Sequence, residues 1–140
     1  MGALPAGWGL PELTPTNETW FTSAALAVQQ CVACATLQHP PEEICHSCLG
    51  TEFGTTTLAP SGTVHSYTVV HYATNPALVD AVPYAVVLVA LDDAPHLRVV
   101  GNMPETPLDE VRIGLRVVPY WEDRVAEDGA VVRLPQWRPV

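Results

Sequence analysis

All four cysteines of this 140-residue chain lie in one stretch, CVACATLQHPPEEICHSC, running from Cys31 to Cys48. They form two C-x-x-C pairs separated by ten residues, 35 to 44. Each pair brings two sulfurs to one tight turn, and two such turns facing each other make a tetrahedron of thiolates about 2.3 Å from a zinc ion. Cys31, Cys34, Cys45 and Cys48 are therefore the expected ligands of a structural zinc. A site closed by four sulfurs has no open position for water or substrate, which argues against catalysis there. His39 and His46 lie in or beside this module, but four thiolates leave them no vacancy, and both are expected to face solvent.

A metal clamp matters most where a core is small. At 140 residues the chain is one ordinary domain or a small module joined to a compact one. Hydrophobic residues make up 48% and charged residues 15%, a globular balance, while 14 prolines favour turns over long helices. The fold class expected is mainly β. The formal charge is −9, from 15 acidic residues against six basic ones, all arginine. Such a surface repels phosphate backbones, so nucleic-acid binding is disfavoured even for a fold that often serves it.

The longest apolar run, Ala81 to Leu91, is too short for the roughly 18–20 residues that cross a bilayer. The opening MGALPAGWGLPEL has neither the basic nor the continuous apolar region of a signal peptide. Together with cysteines read as metal ligands, this places the protein in the cytoplasm, away from membranes.

Taken in order, residues 1–13 read as a flexible lead, 14–50 as a helix and the cysteine module, and 51–140 as a barrel. Thr14-Pro15 resembles a helix start, predicting a helix over Thr16–Leu26 that carries Trp20 and Phe21. Its apolar face either packs on the chain's own domain or docks a partner. Strands are predicted at Thr55–Leu58, Thr63–Tyr72, Tyr84–Leu91, Leu97–Met103, Arg112–Trp121 and Ala130–Leu134. A helical turn falls at Pro104–Val111, and PQWRPV forms a tail. That inventory suits a five-stranded Greek-key barrel of the OB type. The near-continuous apolar run YAVVLVAL predicts a strand buried on both faces or at the centre of a small barrel.

No motif of an independent enzyme is present: there is no G-x-S-x-G elbow, phosphate-cradling loop or H-E-x-x-H. Asp92-Asp93 and Glu122-Asp123 fall in predicted turns and read as solvated carboxylates. On the Thr63–Tyr72 strand, alternation puts His65, Tyr67, Val69 and His71 on one face. His65, Tyr67 and His71 are thus the best candidates for ligand or partner contact, against the plainer reading of a solvent-facing strand surface.

The order of segments is itself informative. A Trp-Phe helix, VQQCVAC, HPPEEICHSC, GTVHSYTVVH, PYAVVLVALDD and RIGLRVVPYW follow one another over residues 16–125. This combination resembles the acyl-CoA-associated OB-fold proteins with an N-terminal rubredoxin-like zinc ribbon, domain of unknown function 35. The resemblance implies a zinc ribbon and OB barrel acting as a non-catalytic partner of a thiolase-superfamily enzyme. That enzyme would be a thiolase or a lipid-transfer-protein-like aldolase, joined in some assemblies by a MaoC-type hydratase. Acyl-CoA would bind at the shared interface, and steroid side-chain degradation is one setting. It carries the metal-ligand role onto Cys31, Cys34, Cys45 and Cys48.

Ala35 and Leu49 depart from the family, which places glycine after each second cysteine because the turn there favours positive φ. Two alternatives stand beside this reading. Iron in the same four-thiolate site would make a rubredoxin-like electron carrier, which visible absorption of the purified protein distinguishes. An OB-fold nucleic-acid binder is opposed by the charge.

Overall fold

The computed structural model describes residues 4–5 and 7–140. It contains two antiparallel sheets. A small one joins β1 (Ala27–Cys31), β2 (Leu37–Gln38) and β3 (Phe53–Thr57) in the order β2-β1-β3. A larger one joins β4 (Gly62–Val70), β5 (Tyr84–Leu91), β6 (Arg98–Asn102), β7 (Arg116–Val125) and β8 (Val131–Pro139) in the order β6-β5-β4-β7-β8. The chain is mainly β, as its composition predicts. Among the described residues no helix is long and apolar enough to cross a membrane.

The N-terminal helix is much shorter than the predicted Thr16–Leu26: α1 spans Glu18–Thr22. Its start is delayed by a closed turn, in which the Thr14 N–H donates to Asn17 Oδ1 at 2.8 Å and the Asn17 N–H to Thr14 Oγ1 at 3.3 Å. Its end is fixed at Ala24, which takes a left-handed φ of 50°. Beyond it, β1 pairs with strands on both sides. Those ladders outweigh the intrinsic helix preference of Ala24, Ala25 and Ala27, which is the strongest of any residue type but amounts to only tenths of a kcal/mol per position.

The strand predicted at Thr55–Leu58 forms as β3 but joins the small sheet, pairing with β1 from Ala27↔Thr57 to Cys31↔Phe53. It therefore forms an edge of the small sheet that carries Cys31. The two parts nonetheless share one core. Trp20, Leu26 and Val28 pack in a single cluster with Val87, Val117 and Trp137 of the large sheet.

The predicted tail is the last strand. β8 runs through PQWRPV to Pro139, in register with β7 from Val125↔Val131 to Val117↔Pro139. Its prolines signalled an end in the sequence, but they are tolerated because β8 carries a hydrogen-bonded ladder on only one side. Trp137, read as tail, is fully buried and heads the core by volume.

The two outermost strands, β6 and β8, approach each other at Gly101. A Cβ on Gly101 would lie 2.7 Å from Trp137 Cδ1, 2.8 Å from its Nε1 and 2.9 Å from the Pro135 carbonyl oxygen. The indole and the β8 backbone thus occupy the space a side chain would need. Gly101→Ala is expected to destabilise the fold by about 2 kcal/mol, read as a lower urea midpoint with unchanged zinc content.

Polar groups close the same seam. The Asn102 N–H donates to Gln136 Oε1 at 2.8 Å, and Gln136 Nε2 to Glu122 Oε1 at 3.1 Å. Arg124 Nη1 donates to Glu122 Oε2 at 3.0 Å. Glu122 was expected in a solvated acidic turn; it lies inside β7 and is only 8% exposed. The same guanidinium ties down the N-terminal lead, because Arg124 also donates to the carbonyls of Leu4 at 2.8 Å and Pro5 at 2.7 Å. Within the predicted flexible lead 1–13, residues 1–3 and 6 lie outside the described residues, and Leu4 and Pro5 are held by this one guanidinium.

The register of β4 also corrects the predicted faces. A bulge falls between Val64 and Ser66, so Val64 pairs with Val89 while Ser66 pairs with Leu88. The extra residue, His65, leaves the alternation. From there on Tyr67 and Val69 share the inner face with Val87 and Ala85. The outer face carries two cross-strand rows, Thr68–Val86–Asn102 and Ser66–Leu88–Val100.

Candidate functional site: the four-cysteine centre and its surroundings

The residues from Cys31 to Cys48 fold as two facing knuckles. The Ala35 N–H donates to the Cys31 carbonyl and the Leu49 N–H to the Cys45 carbonyl, each at 2.9 Å. Both turns are closed by a left-handed residue, Ala35 at φ 62° and Leu49 at φ 65°. These are the positions where the sequence lacks glycine. The strain, of order 1 kcal/mol at each, is small beside the roughly 10 kcal/mol that a structural zinc supplies.

The four Sγ atoms lie within 4.8 Å of one another, with Cys31–Cys48 and Cys34–Cys45 both at 3.6 Å. A tetrahedron with metal–sulfur bonds of about 2.3 Å has sulfur–sulfur edges of about 3.8 Å, so the set fits zinc. Backbone amides orient two of the sulfurs: Ser47 N–H points to Cys45 Sγ and Gly50 N–H to Cys48 Sγ, each at 3.4 Å. Gly50 is needed for another reason. A Cβ there would lie 3.2 Å from Cys48 Sγ and 3.4 Å from Cys31 Sγ.

Sequence reasoning missed the two glutamines that hold the second knuckle to the sheet. Gln29 and Gln38 are buried partners on neighbouring strands, with Gln38 Nε2 donating to Gln29 Oε1 at 2.7 Å. Gln29 also binds both backbone groups of Glu42, donating to its carbonyl at 2.7 Å and accepting from its N–H at 3.0 Å. Gln38 donates to the Ile44 carbonyl at 3.2 Å and accepts from the His46 N–H at 3.1 Å. Polar side chains do here what apolar packing does elsewhere, because the loop they hold must present its backbone to them. The signal available was VQQC, where a buried strand carries two amides in succession.

The two histidines of the module part company. His46 is exposed, as predicted. His39 is half-buried against Trp20, with ring centroids 4.2 Å apart, and its Nδ1 is buried without a partner. Burial lowers its pKa from 6.5 to about 4. The unfolded chain therefore takes up a proton near pH 6.5 that the folded chain refuses until about pH 4. Stability is full above pH 6.5 and falls as pH drops towards 4, by at most ~3 kcal/mol. His39→Leu is expected to remove that part of the slope, measured as urea midpoints at several pH values with zinc content followed in parallel.

The remaining candidates are dispersed. Trp20 is 5% exposed and Phe21 is partly buried against the same core, so the helix face packs on its own domain. His65 is exposed at the bulge, Tyr67 is 41% exposed at the inner face, and His71 is exposed beyond the end of β4. The three do not form one row, because the bulge takes His65 out of the alternation and β4 ends at Val70, before His71. Among the described residues the four cysteines are the one group of potential metal ligands drawn together.

Residues 25–54 match the family described as ChsH2, rubredoxin-like zinc ribbon domain, and residues 55–122 that described as ChsH2, C-terminal OB-fold domain. A probable enoyl-CoA hydratase alpha subunit of Thermomonospora curvata is 36% identical over 132 residues, which is 92% of this chain but 39% of that protein. The chain thus spans about two fifths of that relative's length. A DUF35 domain-containing scaffold protein of Methanocaldococcus jannaschii is 33% identical over 101 residues, 71% of this chain and 69% of that one. Among solved structures, a chain of the Ltp2-ChsH2(DUF35) aldolase superposes with a TM-score of 0.76 at 34% identity, covering 93% of this chain and 98% of that one.

Proposed function

We propose, from the premise that this chain belongs to the DUF35 family as a ChsH2-type zinc ribbon joined to an OB-fold domain, that it is a non-catalytic accessory subunit of a thiolase-superfamily enzyme. The observation that carries the reading is the end-to-end match, at 34% identity, to a chain of the solved Ltp2-ChsH2(DUF35) aldolase. The archaeal relative is likewise a DUF35 domain-containing scaffold protein. The chemistry of the chain agrees. Its zinc is enclosed by four thiolates, and a closed site holds structure rather than substrate.

In this reading strands β4 to β8 form a five-stranded Greek-key barrel of the OB type, following a ribbon module and working in the cytoplasm. The partner is a lipid-transfer-protein-like aldolase or a thiolase, acting on an acyl-CoA such as a steroid side-chain thioester. A MaoC-type hydratase is a further member of the assembly; the hydratase name borne by the longer relative supports that membership. Acyl-CoA binds at the shared interface. Phe21, His65, Tyr67 and His71 are the residues of the original candidate set with surface left to offer it. Trp20 acts from behind, through its packing on His39.

The test is co-expression with thiolase-superfamily proteins of the same genome, co-purification, and acyl-CoA turnover with and without this chain. A stable complex with raised turnover is expected. No complex and no rate effect with any of them would sink the proposal. For His71, an alanine variant that leaves both complex and turnover intact removes it from the interface.

A further inference from the structure

We infer that the outer face of β4–β5–β6, centred on Val86, Leu88 and Val100, is the surface on which the thiolase-like partner docks. The inference rests on the accessory-subunit reading and adds the place of contact. Its first support is a mismatch between sequence and cover. YAVVLVAL is apolar at every position, the pattern of a strand buried on both sides. Its inner residues Ala85, Val87, Val89 and Leu91 are buried. The outer ones, Tyr84, Val86, Leu88 and Ala90, keep partial exposure, and Val100 beside Leu88 is 58% exposed.

The lead lies against the barrel exterior and reaches one side of this face without covering Leu88 or closing over Val100. Arg124 anchors Leu4 and Pro5 beside Glu122, on the outer side of β7–β8. At its edge Leu4 and Trp8, together with Leu78, Val86, Val100 and Met103, line a cavity of about 500 Å³. This opening at the border of the apolar face is large enough to receive side chains of another protein.

Charge selects the occupant. The chain carries 15 acidic residues, yet the outer rows of β4, β5 and β6 include none, and their one charged member is Arg98. A partner can therefore close on this face without desolvating a carboxylate. A second copy is opposed by repulsion between two chains of net charge −9. Other exposed apolar residues lack this setting: Val32, Ile44 and Leu49 stand on the ribbon among Glu42, Glu43 and Glu52.

The test uses the full chain with its zinc and a thiolase-superfamily protein of the same genome, with binding measured by sedimentation velocity. Val100→Glu and Val86→Glu are each expected to weaken the complex by ~30-fold or more, as a charge in a docking centre does. Val125→Glu, at an equally exposed valine on the far end of β7, should bind as the wild type does. Val100→Ser, which adds no charge, should give a smaller loss, and zinc content with urea midpoints verifies that each variant is folded.

Wild-type affinity in both glutamate variants overturns the face and leaves the accessory role standing. No binding by the wild type to any such protein overturns the accessory role, and the face with it. Self-association of the wild type that Val100→Glu abolishes overturns the choice of partner, making a second copy the occupant.

Discussion

Replacing Cys45 with serine is expected to release the zinc and unfold the ribbon, the largest single effect on this fold. The thiolate is fully buried, and its turn makes the second knuckle through the Leu49 N–H bond to its carbonyl at 2.9 Å. Binding energy at such a site is folding energy, of order 10 kcal/mol, because the ligand geometry does not exist in the unfolded chain. Between Cys31 and Cys48 the apolar anchors are few, and the loop is held by Gln29 and Gln38, which cannot compensate for a lost metal. The damage will not stay local. Trp20, Leu26 and Val28 share one core with Val87, Val117 and Trp137, so the barrel should melt at a lower temperature as well. Hydrogen exchange should show residues 27–57 exchanging fast and β4–β5 retaining more protection. A Cys45→Ser protein that keeps stoichiometric zinc and the wild-type melting temperature would contradict this account.

The metal centre was legible because its information is local. Two C-x-x-C pairs specify chemistry and geometry together, and even the strained positions, Ala35 and Leu49, could be located in advance. The strand inventory was legible for a similar reason, since β-branched runs between turns need no long-range partner to be seen. What failed depended on contacts between distant segments. The Thr55–Leu58 strand was visible, but only its ladder with β1 shows that it belongs to the ribbon. The bulge at His65 is a register adjustment between β4 and β5, invisible in the alternation of either strand. Trp137 looked like tail because prolines flank it, yet β8 uses them where no second ladder is required. Glu122 looked solvated because nothing in EDRVAEDG announces that Gln136 of β8 and Arg124 will bond its carboxylate.

That burial gives the second large effect. Arg124→Ala is expected to destabilise the protein by about 3 kcal/mol, the cost of removing a charge-assisted hydrogen bond from a buried carboxylate. Glu122 Oε2 accepts from Arg124 Nη1 at 3.0 Å, while Oε1 accepts from Gln136 at 3.1 Å. Without the guanidinium the carboxylate loses the charge-assisted bond to Oε2. The same substitution frees the carbonyls of Leu4 and Pro5, so the lead should detach and water should reach Glu122. Hydration of that kind limits the loss, which separates two variants. Arg124→Ala should lose stability and also expose the lead to proteolysis. Removing both charges, in Arg124→Met with Glu122→Gln, should restore much of the stability while leaving the lead loose, because the buried charge is gone but the carbonyl donors are not replaced. Limited proteolysis alongside urea titration reads both quantities. If the double variant is no more stable than Arg124→Ala, the guanidinium matters for the lead it pins and not for the charge it neutralises.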